Sequence, residues 1–183
     1  MGRLARPSRS GPRHKVTDTR GCHRRLVVFG CLAMRVVLGS DHAGYHLKQV
    51  VAAHLRDKGY EVQDIGTFSD TPVDYPWFCA TAARVVVSGS ADRGIVLGGS
   101  GQGEAISANK VHGARAALCH DETTAHLARL HNDANVLSLG ARILGPDLAL
   151  AIVDVFFSTE FEGGRHVQRL AEVTNIEVEE CER

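Results

Sequence analysis

Residues 93–110 read RGIVLGGSGQGEAISANK, and their reading decides the fold. RGIVLGG, residues 93–99, is a continuous apolar run of the kind found in a strand covered on both faces. GEAISANK, residues 103–110, then reads as a short helix. Between them lie Gly98, Gly99, Gly101 and Gly103, four glycines in six residues. Glycine lets the backbone turn tightly and approach a ligand closely. The free N–H groups of a helix start favour an anion. Yet a carboxylate, Glu104, stands at that start.

Outward from this unit the pattern alternates. Strands are expected at 34–39 (MRVVLG), 60–66 (YEVQDIG), 114–119 (ARAALC) and 134–141 (ANVLSLGA). Helices are expected at 43–59, with Leu47, Val50, Val51 and Leu55 on one face, and at 78–89. Further helices are expected at 121–132, at 146–159, with Leu148, Ile152, Val153 and Phe156 on one face, and at 163–183. Residues 67–78, punctuated by Pro72 and Pro76, read as a loop. Five strands alternating with helices predict an α/β domain, a Rossmann-like three-layer α/β/α sandwich around a five-stranded parallel sheet. Such sheets bind ligands beyond the carboxyl ends of their strands. That rule gathers SDHAG after the first strand, GSGQGE after the third, HDE after the fourth and GAR after the fifth.

Composition narrows the function classes. The 183 residues are 44% hydrophobic and 5% aromatic, enough for one aliphatic core. Formal net charge is zero, which argues against nucleic acid as the main partner. No apolar run is long enough to span a membrane. The five cysteines are odd in number and lack metal-like spacing, so free thiols in a reducing cytoplasm are expected. Residues 1–33 are rich in arginine and then briefly apolar. They are expected to be a disordered or upstream-extended tail rather than a secretory signal, with the domain running from 34 to 183.

The glycine loop fails both phosphate fingerprints. For G-x-G-x-x-G the third glycine would fall on Glu104, and G-x-x-x-x-G-K-[ST] is absent. An acid also repels a pyrophosphate. A neutral oxygen that turns negative only during reaction suits the loop better, met by backbone N–H groups and the Ser100 hydroxyl. Glu104 beside it would then be a base. The plainer alternative is a tight turn with Glu104 as a first-turn acid favoured by the helix dipole.

Other polar groups carry paired readings. Asp41 and His42 suit either a helix cap, at Ser40 or Asp41, or a proton-handling acid beside an anion-binding imidazole. His131 and Asn132 end a helix, where a cationic histidine is itself favourable. Tyr75 is either a shelf for a ligand or a surface turn. Arg142 follows the fifth strand. Arg165 and Arg169 share a helical face, either offset by Glu162 and Glu172 or acting as a phosphate clamp. No thiol or His/Asp grouping has metal spacing, so metal-independent chemistry without a cofactor is expected.

GSDHAGYHLK, DYPWFC, GGSGQGEAISANK, LHNDANVLSLGAR and GGRHVQRL together resemble the ribose-5-phosphate isomerase B family, over about residues 34–175. That group includes the allose- and galactose-6-phosphate isomerases. The resemblance implies interconversion of ribose 5-phosphate and ribulose 5-phosphate through a cis-enediol. It also implies a dimer or tetramer with the site at a subunit interface, and no metal. Many members carry a cysteine base where this chain has Gly98. The chain resembles the subgroup with a glutamate base, here Glu104. The implied roles give ring opening to His131 and the hydroxyl proton to Asp41. The enediolate oxygen goes to Ser100 and the amides of Gly99, Gly101 and Gly103. Sugar positioning goes to Asn132 and Tyr75, and the phosphate to His42, Arg142, Arg165 and Arg169. The terminal helix is expected to reach a neighbouring subunit.

Overall fold

The computed structural model describes residues 33–181. The expectation for the N-terminal tail, with Cys22 and Cys31, lies outside the described residues. The elements run β1 (Arg35–Ser40), α1 (Tyr45–Asp57), β2 (Glu61–Asp64), α2 (Tyr75–Val87), β3 (Arg93–Gly98) and α3 (Gln102–Ala108). They continue with β4 (Ala116–Leu118), α4 (Glu122–Asn132), β5 (Val136–Gly140), α5 (Pro146–Ser158) and α6 (Arg165–Cys181). The five strands form one parallel sheet in the order β2-β1-β3-β5-β4.

Alternation along the strands builds two cores. Val36 and Leu38 of β1, Ile95 and Leu97 of β3, and Leu137 and Leu139 of β5 face α1, α4 and α5. Val37, Val96 and Val136 face the opposite way, against Cys79, Ala82, Ala83 and Val86 of α2 and Ala108 of α3. The sheet is therefore covered on both faces, as the apolar run of β3 requires. Two helical faces are rotated from the expected ones. Val50 of α1 and Leu148 of α5 are exposed, and Lys48, Ala52 and Ala149 are buried in their place. Lys48 is tolerated there because its Nζ donates to Asp64 Oδ1 at 2.5 Å and to the Thr67 carbonyl at 2.6 Å. A buried charge needs such partners.

Local chemistry sets the helix ends. Asp121 accepts from the Thr124 N–H at 2.7 Å in a capping box that starts α4. Pro146 opens α5 and Pro76 lies in the first turn of α2. That proline made residues 67–78 read as loop, but the helix already begins at Tyr75. Asp41 does not cap by itself. The cap of α1 is Gly44, and Asp41 Oδ1 accepts the Gly44 N–H at 2.9 Å.

Strand order places the site. From β1 the chain moves outward to β2, then returns to the other side of β1 with β3. The crevice between the carboxyl ends of β1 and β3 is the switch point where such sheets take ligands. Residues 41–44 and 98–103 flank it.

Candidate active site

Glu104 is the centre of that crevice. Gly101, with φ 79°, caps α3 in the left-handed region that glycine adopts at no steric cost. The reversal puts Glu104 in the first turn of α3 and folds its side chain back to the end of β3. It is 3% exposed. Its carboxylate fills the space beside Gly98, where a side-chain carbon would collide with it. Burial raises its pKa above the ordinary 4.5, and the nearby Asp41 charge adds to that. Hydrogen bonds from its own N–H and those of Gly101 and Gly99 oppose the rise. Two amides expected to meet a developing oxyanion are thus engaged with the Glu104 carboxylate. Oε2 is buried without a hydrogen-bond partner. A buried, unpartnered acceptor with a raised pKa marks a candidate site for proton transfer.

The cleft around it has a volume of about 480 Å³ and is lined by Asp41, His42, Tyr75, Ser100, Gly103, Glu104 and Arg142, with Ala43, Gly99 and Ile143. Asp41 is buried. His42 Nδ1 lies 3.2 Å from the Val73 N–H, which donates to it. Tyr75 packs its ring against Gly103, whose missing side-chain carbon would lie 2.5 Å from the ring. The main chain of Arg142 donates to the Gly99 carbonyl at 3.0 Å, so the turns after β3 and β5 are joined and the guanidinium lies over Gly99. One exposed arginine, one imidazole and two buried carboxylates thus share a polar cleft. That set can hold an anion at one end and move a proton at the other.

His131, Asn132, Arg165 and Arg169 lie elsewhere in the chain. α4 runs back along the sheet, so His131 and Asn132 end it near the start of β5. Register pairs Val136 with Gly94 at that end and Gly140 with Gly98 at the Glu104 end. The strand between spans about 13 Å. His131 stacks on His166 at 4.3 Å between centroids. Glu162 Oε2 lies 3.7 Å from His131 Nε2 and 3.6 Å from His166 Nε2. Glu162 therefore faces the histidines rather than offsetting Arg165 and Arg169, and Glu172 accepts from Gln168. His166 was missed in the sequence. Its only signal was its place in the GGRH motif. The donor atoms of His131, Glu162 and His166 lie within 4.8 Å of one another, a grouping that spacing in the sequence does not show.

Cys79 and Cys119 are buried free thiols. Burial pushes the Cys79 thiol far up, with Glu104 and Asp41 adding to it, and pushes Cys119 up to about 11. Neither is a nucleophile at neutral pH. Among the described residues no helix is long and apolar enough to cross a membrane.

Known proteins resemble this chain in sequence and fold. The ribose/galactose isomerase family pattern matches residues 36–173. Ribose-5-phosphate isomerase B of Escherichia coli is 44% identical over 143 residues, which cover 78% of this chain and 96% of that protein. Its counterpart from Mycolicibacterium paratuberculosis is 51% identical over 139 residues, covering 75% and 87%. Among solved structures, Clostridium thermocellum ribose-5-phosphate isomerase B superposes with a TM-score of 0.79 at 50% identity, over 80% of this chain and 99% of that one. The Mycoplasma genitalium enzyme with bound ribulose 5-phosphate has a TM-score of 0.77 at 40% identity, over 80% and 97%. The chain belongs to the ribose/galactose isomerase family.

Proposed function

We propose that this chain interconverts D-ribose 5-phosphate and D-ribulose 5-phosphate, moving one proton between C2 and C1 through a cis-enediolate with Glu104 as the base. The observation that carries this is the Glu104 carboxylate, buried at the cleft wall with Oε2 unpartnered. In the open-chain aldose, Glu104 takes the C2 proton and the electron pair forms the C1–C2 double bond. The carbonyl oxygen at C1 becomes negative as this happens. Ser100 and the first-turn amide of Gly103 meet that charge, and Asp41 passes the hydroxyl proton between O2 and O1. Glu104 then returns its proton to C1. Tyr75 holds the sugar, and His42 and Arg142 hold the phosphate. The likeness to an enzyme holding ribulose 5-phosphate supports this substrate.

The groups at the other end of the sheet fit the same reaction if a second copy brings them. We assign His131 to furanose ring opening, Asn132 to the sugar, and Arg165 and Arg169 to the phosphate, each acting in the cleft of a partner subunit. About 13 Å of strand separates them from Glu104 within one chain. Trp77 and Phe68 are 62% and 70% exposed beside the cleft elements, an apolar surface suited to burial by a second copy. The working unit is then a homodimer, or a homotetramer of two such dimers, and reduced thiols fit a cytoplasmic enzyme.

The direct test adds ribose 5-phosphate to the purified chain and follows products by NMR. Ribulose 5-phosphate is expected at the equilibrium ratio. Turnover of allose 6-phosphate with none of ribose 5-phosphate overturns the pentose assignment.

A further inference from the structure

The His131, Glu162 and His166 cluster has a geometry that the isomerase reaction does not require. His131 ends α4, Glu162 precedes α6 and His166 lies in its first turn. The Glu162 N–H donates to the Leu130 carbonyl at 3.0 Å, fixing that junction against the end of α4. Both ring Nε2 atoms face one carboxylate oxygen, at 3.7 and 3.6 Å.

His166 is the informative member. It is 5% exposed, and the Arg165 Nε–H donates to its Nε2 at 3.4 Å. An Nε2 that accepts a hydrogen bond presents a lone pair. Glu162 Oε2 lies 3.6 Å from the same nitrogen.

We infer that His131, Glu162 and His166 form a binding site for a divalent transition metal of the zinc class, and that its occupation inhibits turnover by tying up His131. Two imidazoles and one carboxylate with an open fourth position are a recurring zinc ligand set. Metal–ligand bonds of 2.0–2.2 Å at tetrahedral angles hold donors about 3.3 Å apart. Glu162 needs to move only a few tenths of an ångström toward each ring to meet that spacing. The stacked rings, 8° from parallel, must splay so that their lone pairs converge, and the long Arg165 contact gives way. Metal binding stands on this geometry alone, whereas inhibition also rests on the proposed role of His131.

The test titrates Co²⁺ into the full chain and reads its visible d–d absorption. An intense band of tetrahedral type is expected, without the ultraviolet charge-transfer band of a thiolate ligand. Affinity should fall at least about tenfold in both His166→Ala and Glu162→Gln. Absence of the band, a thiolate signature, or wild-type affinity in both variants overturns the site. Glu162→Gln changes one atom, so it reads the site even if His166→Ala fails to fold. In the second arm, Zn²⁺ should lower wild-type turnover of ribose 5-phosphate at least about tenfold, with recovery on adding EDTA. A bound metal with undiminished turnover overturns the inhibitory role and leaves the site standing. An apo chain that never turns over ribose 5-phosphate overturns the isomerase reading instead.

Discussion

The carboxylate of Glu104 occupies the volume that a side chain at Gly98 would need. The two positions are exclusive, so a chain with glycine at the end of β3 can place its base from α3. Gly98→Ala should push the carboxylate out of line and lower kcat on ribose 5-phosphate by about 100-fold, the usual cost of an ångström of misplacement at a reacting centre. The melting curve by circular dichroism shows whether the fold survives. A wild-type kcat in this variant would separate Glu104 from catalysis.

The acid limb of the pH profile should belong to Glu104. A base works when ionised, and burial raises this carboxylate above 4.5. Activity therefore falls as pH drops through that raised value, not through 4.5. The Asp41 charge is part of the cause, so Asp41→Asn should move the limb of kcat/KM to lower pH while lowering the rate. A limb that stays put would deny the coupling between the two carboxylates.

Subunit complementation tests the shared site. Glu104→Gln and His131→Ala chains should each be nearly inactive. A hybrid dimer made by co-expression carries one intact site and one doubly altered site. A statistical mixture should regain about a quarter of wild-type activity. If both residues served one chain's own cleft, the mixture would be no more active than the separate variants.

Lys48 should matter to stability beyond its surface chemistry. Its ammonium is fully buried between Asp64 and the Thr67 carbonyl. Burial lowers its pKa, against the pull of Asp64. Lys48→Met leaves Asp64 without its ion-pair partner, holding the Gly66 N–H at 2.9 Å, at the foot of the loop that leads through Val73 to α2. The expected loss is roughly 3 kcal/mol, measured by urea denaturation, with partial recovery in Lys48→Met/Asp64→Leu. Additive losses in the double variant would show that the pair is not coupled.

Much of this was legible in the residues. The apolar run at 93–98 and the alternation with helices carry the parallel sheet, because strands buried on both faces must be apolar throughout. Asp41, His42, Ser100, Glu104 and Arg142 follow strand ends, and the sheet rule alone gathers them. Val50 and Leu148 were misplaced because spacing defines a face only to within one residue. Lys48 could enter the core only because Asp64, distant in sequence, supplies its partner. The His131–Glu162–His166 cluster could not be read from spacing, since it joins the end of one helix to the start of another. Which end of the sheet His131 occupies depends on α4 running back along it, and that separates the arginines and His131 from Glu104 within one chain.

The most direct measurement is deuterium uptake during isomerisation of ribose 5-phosphate in D₂O, compared between the wild-type chain and Glu104→Gln. The account predicts that wild-type ribulose 5-phosphate carries solvent deuterium at C1. It predicts that Glu104→Gln still binds the sugar phosphate but loses turnover and exchange by about 1,000-fold or more. Exchange and turnover at wild-type rates in Glu104→Gln would contradict the assignment of Glu104 as the base.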